Sequence, residues 1–322
     1  MRRQRLRRIA ATTALCSAAT LTAAGASRPE PYAAPAAATT AAALASPGSL
    51  QARYDAVHAD IVTARDMAVR LKDSGRVKAL NAFLQPGRRF LAFDARGTGH
   101  VVEVHGDLAR ADRIAVVVPG ADGELTNFDS WKWAGGGARA LAQQAVHAAP
   151  NSRLAVIAWL GYDSPSTLST DVLSDDTADH AATTLRGFLG DLHRVNGKAR
   201  IALLGHSYGS VVLGRAIPHL TGLPVDEIAL FGSPGVTRGS VTDLKTPAHV
   251  WAGRAAGDWM QYVPKIRFAG IGFGKDPISR AFGAQRFAAG SGTHSEYLKP
   301  GSASLRNLTL IALGLNSEVT HA

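Results

Sequence analysis

The chain has 322 residues, 46% of them hydrophobic, and a formal charge of +10, enough apolar material for one sizeable core. Five of its arginines fall within the first eight residues; without them 30 basic side chains stand against 25 acidic ones, a net +5. That excess is scattered, with no dense Lys/Arg stripe and no aromatic interleaving, so no nucleic-acid partner is expected.

Arg2, Arg3, Arg5, Arg7 and Arg8 precede an apolar, small-residue run from Ile9 to about Ala24, and Ala24-Gly25-Ala26 offers the small-x-small pattern of a signal peptidase site. Residues 1–26 therefore read as a cleaved secretory signal, and the mature protein as secreted or associated with the cell envelope. The run is mostly Ala and Thr and falls short of the roughly 20 strongly apolar residues of a membrane span, so no stable span is expected. Cys16 is the only cysteine. Leu15 stands where a lipoprotein signal needs a small residue, and with Cys16 in the signal the mature chain has no disulfide and no thiolate metal site. Residues 27–49 are Ala, Pro and Thr with few large side chains and read as a disordered tether. Residues 50–322 read as a single α/β domain.

Leu50, Tyr54, Val57, Ile61, Ala64, Ala68 and Leu71 recur at spacings of three or four, with Arg53, Asp60, Arg65 and Lys72 between them. This predicts a long helix, then a short one through Val77, Leu80 and Phe83, stopped by Pro86-Gly87, so that 50–86 forms an N-terminal helical cap. Arg89–Asp94 and His100–His105 flank Ala95-Arg96-Gly97-Thr98-Gly99 as an antiparallel hairpin. Ile114–Val118 is a continuous apolar run, as for a strand buried on both faces. Further strands are expected at Leu154–Trp159, Arg200–Leu204, Glu227–Phe231, His249–Trp251 and Gln285–Ala288. Helices are expected near Ser130–His147, Asp176–Val195, Ser207–Leu220, Thr237–Leu244 and Ala303–Leu315. An antiparallel pair followed by repeated βα units predicts an open, mostly parallel sheet covered by helices.

Gly205-His206-Ser207-Tyr208-Gly209 falls where one such strand ends and a helix begins. Gly-x-Ser-x-Gly suits a turn too tight for flanking side chains, which leaves the hydroxyl exposed above the sheet. Ser207 is thus the candidate nucleophile, with His206 orienting the turn. A serine hydroxyl needs a base, and the base an acid to fix its tautomer. The acid and then the base are expected downstream. His219 lies too far along its own helix, His249 opens a strand at the wrong sheet edge, and His321 is next to last. His294, in Gly290-Ser-Gly-Thr-His-Ser-Glu296, follows the last strand on a loop that can reach the elbow. For the acid, Asp258 follows the strand beginning at His249, beyond the C-terminal edge of the sheet, where ligands gather. Asp276, before Pro277, is the rival, although an Asx-type turn is its simpler role. The backbone N–H groups of Tyr208 and of Ala121, in Pro119-Gly120-Ala121-Asp122-Gly123, are the candidate oxyanion donors. The segment from Trp259 to Phe282, with its aromatics and glycines, either covers a pocket or is a long surface connection.

The ordered blocks Pro86–Asp94, Gly106-Asp107-Leu108, Val118-Pro-Gly120, Gly205–Ser210, Phe231-Gly-Ser-Pro-Gly235, Asp276-Pro277, Phe282-Gly283 and His294-Ser295 span about residues 76–315. In this order they resemble the bacterial α/β-hydrolase family catalogued as domain of unknown function 1023. The resemblance implies an α/β-hydrolase fold, with helices on both faces of the sheet, and a Ser207/Asp258/His294 site. It implies no substrate, and its Asp276-Pro277 block keeps Asp276 in view as the acid.

The expected function is an exported serine hydrolase working through an acyl-enzyme on carboxylic esters of small or lipid-like molecules. The alternatives are an acyltransferase or peptidase on the same three residues, or a binding protein that keeps the fold without catalysis. No phosphate loop, dinucleotide fingerprint or metal-ligand cluster appears, so no cofactor and no metal are expected.

Overall fold

In a computed structural model of the chain, the described residues are 30–35, 47–167, 175–263 and 272–322. The expected signal and most of the expected tether lie outside them, as does 264–271 of the Trp259–Phe282 segment. The chain divides into two units, Met1–Glu30 and Pro31–Ala322, and every element below belongs to the second.

The helical period at the start becomes α1 (Leu50–Arg70) and α2 (Ser74–Phe83). Asp73 caps α2 by accepting the Arg76 N–H at 3.0 Å. Val57, Ile61, Ala64 and Ala68 are buried along α1 as their spacing demands, but Leu71 is 47% exposed. Arg53, which the sequence placed on the polar side, is buried instead. Its Nε donates to the Leu91 carbonyl at 2.5 Å. Leu91 sits at a register shift in β1 (Arg89–Asp94), where the bonds to β2 (His100–His105) skip one residue.

The remaining strands are β3 (Arg113–Val118), β4 (Leu154–Leu160), β5 (Arg200–His206), β6 (Val225–Phe231), β7 (His249–Gly253) and β8 (Gln285–Arg286). They form one sheet in the order β1-β2-β4-β3-β5-β6-β7-β8. β2 is antiparallel to β1 and β4, and all other pairs are parallel. Ile114 to Val118 are almost wholly buried, as an unbroken apolar run in a covered parallel sheet requires. α4 (Asp175–Val195) and α5 (Tyr208–Ala216) pack together on one face, α3 (Ala134–Ala148) and α6 (Ala303–Leu313) on the other. The mostly parallel sheet with helices on both faces is the architecture expected from the sequence.

Three helices differ from their sequence expectation. α3 starts at Ala134, not Ser130, because the Gly135 and Gly136 N–H groups bond back to the Phe128 carbonyl. α5 stops at Ala216 before a single 3₁₀ turn, since Pro218 has no N–H. The Gly214 carbonyl accepts from Arg238 Nε at 3.0 Å instead. The helix expected near 237–244 is reduced to a 3₁₀ turn, Thr242–Leu244, because Thr237 and Lys245 adopt positive φ at either side. The far edge is short. β8 covers two residues, and beyond it Ala288 N–H bonds to Thr320 O at 2.8 Å and Ala322 N–H to Arg286 O at 3.1 Å. Among the described residues no helix is long and apolar enough to cross a membrane.

Candidate active site

β5 delivers Ser207 at the C-terminal edge of the sheet, and α5 starts with the next residue. Ser207 has φ 51° and ψ −123°, a conformation that costs a non-glycine residue energy and persists only when its surroundings enforce it. Two glycines make this possible by close approach. A Cβ on Gly209 would lie 2.3 Å from the Val118 carbonyl oxygen, and one on Gly120 would lie 2.7 Å from Ser207 Cβ.

β7 leads to Asp258, which begins a 3₁₀ turn and accepts the Met260 N–H at 2.8 Å. The loop beyond β8 runs beside it: Ala256 N–H donates to Gly290 O at 2.9 Å, and Gly257 pairs with Thr293. Thr293 is held by the Glu296 carboxylate, which accepts its N–H at 2.9 Å. These contacts set His294 between the elbow and Asp258.

The three residues named from the sequence form one hydrogen-bonded line. His294 Nε2 lies 3.0 Å from Ser207 Oγ, and His294 Nδ1 lies 2.8 Å from Asp258 Oδ1. An ionised carboxylate only accepts, so Nδ1 donates to Asp258, and in that tautomer Nε2 is the acceptor that faces the Ser207 hydroxyl. Asp258 is fully buried. Burial alone would raise its carboxyl, but hydrogen bonds from His294 and Tyr297 and the Met260 N–H together hold it below the usual carboxylate range. The rival Asp276 is turned elsewhere: its Oδ2 accepts from Arg254 at 2.6 Å and its Oδ1 caps Ile278 N–H at 3.2 Å, an Asx turn. His249 faces Glu227 at 2.9 Å.

Two side chains belong to this arrangement without having been read from the sequence in that role. The Tyr297 hydroxyl donates to Asp258 Oδ2 at 2.5 Å and accepts the Ala255 N–H at 3.0 Å. His206 does more than shape its turn. Its Nε2 lies 2.8 Å from the His294 carbonyl oxygen, and its ring sits 4.9 Å from the His294 ring and 5.3 Å from Phe231. Burial, with His294 nearby, lowers its pKa to about 3, so it is neutral and donates to that carbonyl. A tyrosine three residues past a histidine carries no periodic signal, and only the return of the loop onto β7 reveals it.

Ser207 opens into a cavity of about 470 Å³ whose walls include Trp133, Trp259, Met260, Val263 and Phe273. Trp259 is 45% exposed, and its ring stands 5.0 Å from that of His294. The Trp259–Phe282 segment thus contributes cavity lining at its described ends. Tyr208, at the start of α5, and Ala121, after β3, also line the cavity. Among the described residues no group of three or more His, Cys, Asp or Glu side chains is placed to hold a metal ion.

The uncharacterized protein Rv2079 of Mycobacterium tuberculosis is 30% identical over 273 residues, covering 70% of this chain and 38% of that protein. A second protein of that organism, Rv0963c, is 35% identical over 153 residues, covering 45% of this chain and 56% of its own length. This chain therefore spans well under two thirds of both relatives. Among solved structures, a serine hydrolase without a lid from Xanthomonas campestris is 16% identical, covers 72% of this chain and 95% of that chain, and has a TM-score of 0.43. The esterase domain of a Rhodothermus marinus protein is 11% identical, covers 69% and 93% of the two chains, and has a TM-score of 0.41. The family model described as alpha/beta hydrolase matches residues 94–268, more than half of the chain and the stretch that carries Ser207 and Asp258. On that match the chain belongs to the alpha/beta hydrolase family.

Proposed function

We propose that the protein is a serine hydrolase that cleaves carboxylic esters through an acyl-enzyme. The observation that carries this reading is the Ser207–His294–Asp258 line, with contacts of 3.0 and 2.8 Å, whose Ser207 and His294 line a largely apolar cavity. Ser207 Oγ attacks the ester carbonyl and its proton passes to His294 Nε2. The carbonyl electron pair becomes an oxyanion held by the Tyr208 and Ala121 N–H groups. Its collapse expels the alcohol, which takes the proton from His294. Water then attacks the acyl-enzyme, gives its proton to His294, and the acid leaves as Ser207 regains the proton. Asp258 stays ionised and stabilises the imidazolium at each stage. The apolar walls suit an acyl or alkyl group of a small or lipid-like ester.

The ordered sequence blocks support a finer assignment, to the bacterial family catalogued as domain of unknown function 1023. The arginine block, small-residue run and Ala24-Gly25-Ala26 support export with cleavage near Ala26, a tether over 27–49 and the hydrolase domain over 50–322.

A fluorophosphonate probe should label the protein, and Ser207→Ala should abolish labelling. With p-nitrophenyl esters, Asp258→Asn should lower kcat by about 10⁴-fold, while Asp276→Asn should change it little. No labelling of well-folded protein would remove the hydrolase reading. If Asp276→Asn is the crippling change, the acid is misassigned.

A further inference from the structure

The sheet order places β3 between β4 and β5. The loop leaving β3, Pro119 to Gly123, therefore runs between the residues that follow β4 and the nucleophile that follows β5. On the β5 side Gly120 packs directly against Ser207. On the β4 side the same loop is held by a set of hydrogen bonds. The Tyr162 hydroxyl lies 2.9 Å from the Pro119 carbonyl oxygen and 3.1 Å from that of Gly120. The Ser164 hydroxyl donates to the Gly120 carbonyl at 2.8 Å and accepts the Gly123 N–H at 3.0 Å. Asp122 N–H donates to Pro165 O at 2.9 Å, and the Asp122 carboxylate accepts the Thr167 N–H at 2.9 Å.

The loop needs this support. Asp122 has φ 62°, a left-handed conformation that a non-glycine residue keeps only where neighbours impose it. The Tyr162 ring is fixed in turn, stacked 5.7 Å from Trp159 and 6.4 Å from Tyr208. Burial pushes the Tyr162 phenol upward, which keeps it a proton donor.

In a trans peptide the C=O and N–H point in opposite directions. The Gly120 carbonyl is drawn toward β4, so the Ala121 N–H of the same peptide plane faces the β5 side, where Ser207 stands. We propose that Tyr162 and Ser164 are positioning residues that hold the Gly120–Ala121 peptide with its N–H aimed at the oxyanion formed on Ser207. The proposal rests on the reading of Ser207 as nucleophile. It adds the residues that aim the second donor, which neither the nucleophile nor its acid and base can do.

The test is steady-state hydrolysis of p-nitrophenyl butyrate by the wild type, Tyr162→Phe, Ser164→Ala, the double variant and Ser164→Thr, with active sites counted by fluorophosphonate titration. A donor removed outright from an oxyanion hole costs about 10²- to 10³-fold in kcat. A donor left in place but misaimed should cost less, about 10- to 100-fold in the double variant, with KM within about twofold. Ser164→Thr, which keeps the hydroxyl, should restore most of the Ser164→Ala loss. A trifluoromethyl ketone, whose adduct carries an oxyanion on the serine, should bind the double variant more weakly by the same factor as the loss in kcat. A merely structural role would lower the titrated fraction or the Tm and leave kcat per titrated site unchanged; that result overturns the proposal. So does an unchanged ketone affinity. If the double variant does not fold, the two single variants and Ser164→Thr decide by the same measures. A wild type that neither hydrolyses nor labels removes the Ser207 reading and this proposal with it, whereas an active wild type beside an equally active double variant removes the proposal alone.

Discussion

At Ser207 the backbone works against the side chain it presents. A serine at φ 51° is strained, and such residues cost on the order of 1–3 kcal/mol. Glycine adopts positive φ freely. Ser207→Gly and Ser207→Ala both lose the hydroxyl and its contact with His294, so their difference isolates the backbone. Ser207→Gly should be the more stable by about 1 kcal/mol in urea unfolding, with both inactive. Equal stabilities would limit the strain at the elbow to about the 0.4–1 kcal/mol that glycine loses in chain entropy. Residue by residue, the pentapeptide, the order serine, aspartate, histidine and a loop histidine after the last strand were enough to name three side chains that meet in space. Asp276 could not be told from Asp258 by pattern, because its pairing with Arg254 is a contact between residues 22 apart in the chain. Tyr297 was not legible at all, because its reach to Asp258 depends on a chain return that leaves no local pattern.

Among elements, the tightest fit at the candidate site is between the start of α5 and the end of β3. The two meet backbone to backbone, since any Cβ on Gly209 would fall within 2.5 Å of both the Val118 and Pro119 carbonyl oxygens. Gly209→Ala should therefore push α5 off β3, at a cost of about 1–3 kcal/mol for overpacking, and displace Ser207 with it. A variant as stable and as active as wild type would show that α5 has slack there. The first seven strands were legible because burial on one or both faces imprints a two-residue or continuous apolar pattern, whereas β8 is two exposed residues that carry no such imprint. Helix ends were less so. The start of α3 depends on which carbonyl the Gly135 and Gly136 N–H groups find. The loss of the helix near 237–244 depends on positive φ at Thr237 and Lys245, residue types that give no warning of it. Arg53 on the buried side of α1 has the same origin, since a bulge in β1 created the acceptor that draws it in.

For the molecule as a whole, these buried groups link folding to pH. His206 titrates at about 3 in the folded protein because burial and the neighbouring His294 disfavour its charge, whereas an unfolded histidine takes its proton near 6.5. Between those values the unfolded chain binds a proton that the native one does not, so stability falls as pH drops below about 6.5. Burial lowers His105 as well, which adds in the same direction. The depressed Asp258 carboxyl contributes stability above the ordinary carboxylate pKa that is lost as pH falls through its folded value. Urea midpoints should fall from pH 7 to pH 4.5, and His206→Gln should flatten the profile by about 1 kcal/mol per pH unit. An identical slope in that variant would show that the His206 ring takes up its proton in the native state at the same pH as in the unfolded chain.

The two outer strands of the sheet bear on how molecules meet one another. An uncovered strand edge is a template on which a second chain can add a strand. Here the β8 edge is already occupied by the chain's own residues 320–322, and the irregular point of β1 has its carbonyl taken by the Arg53 guanidinium. A foreign strand arriving at β8 must first displace those residues, and one arriving at β1 meets a kinked ladder with an acceptor already used. Growth of the sheet from molecule to molecule is thereby obstructed at both ends, without help from a disulfide.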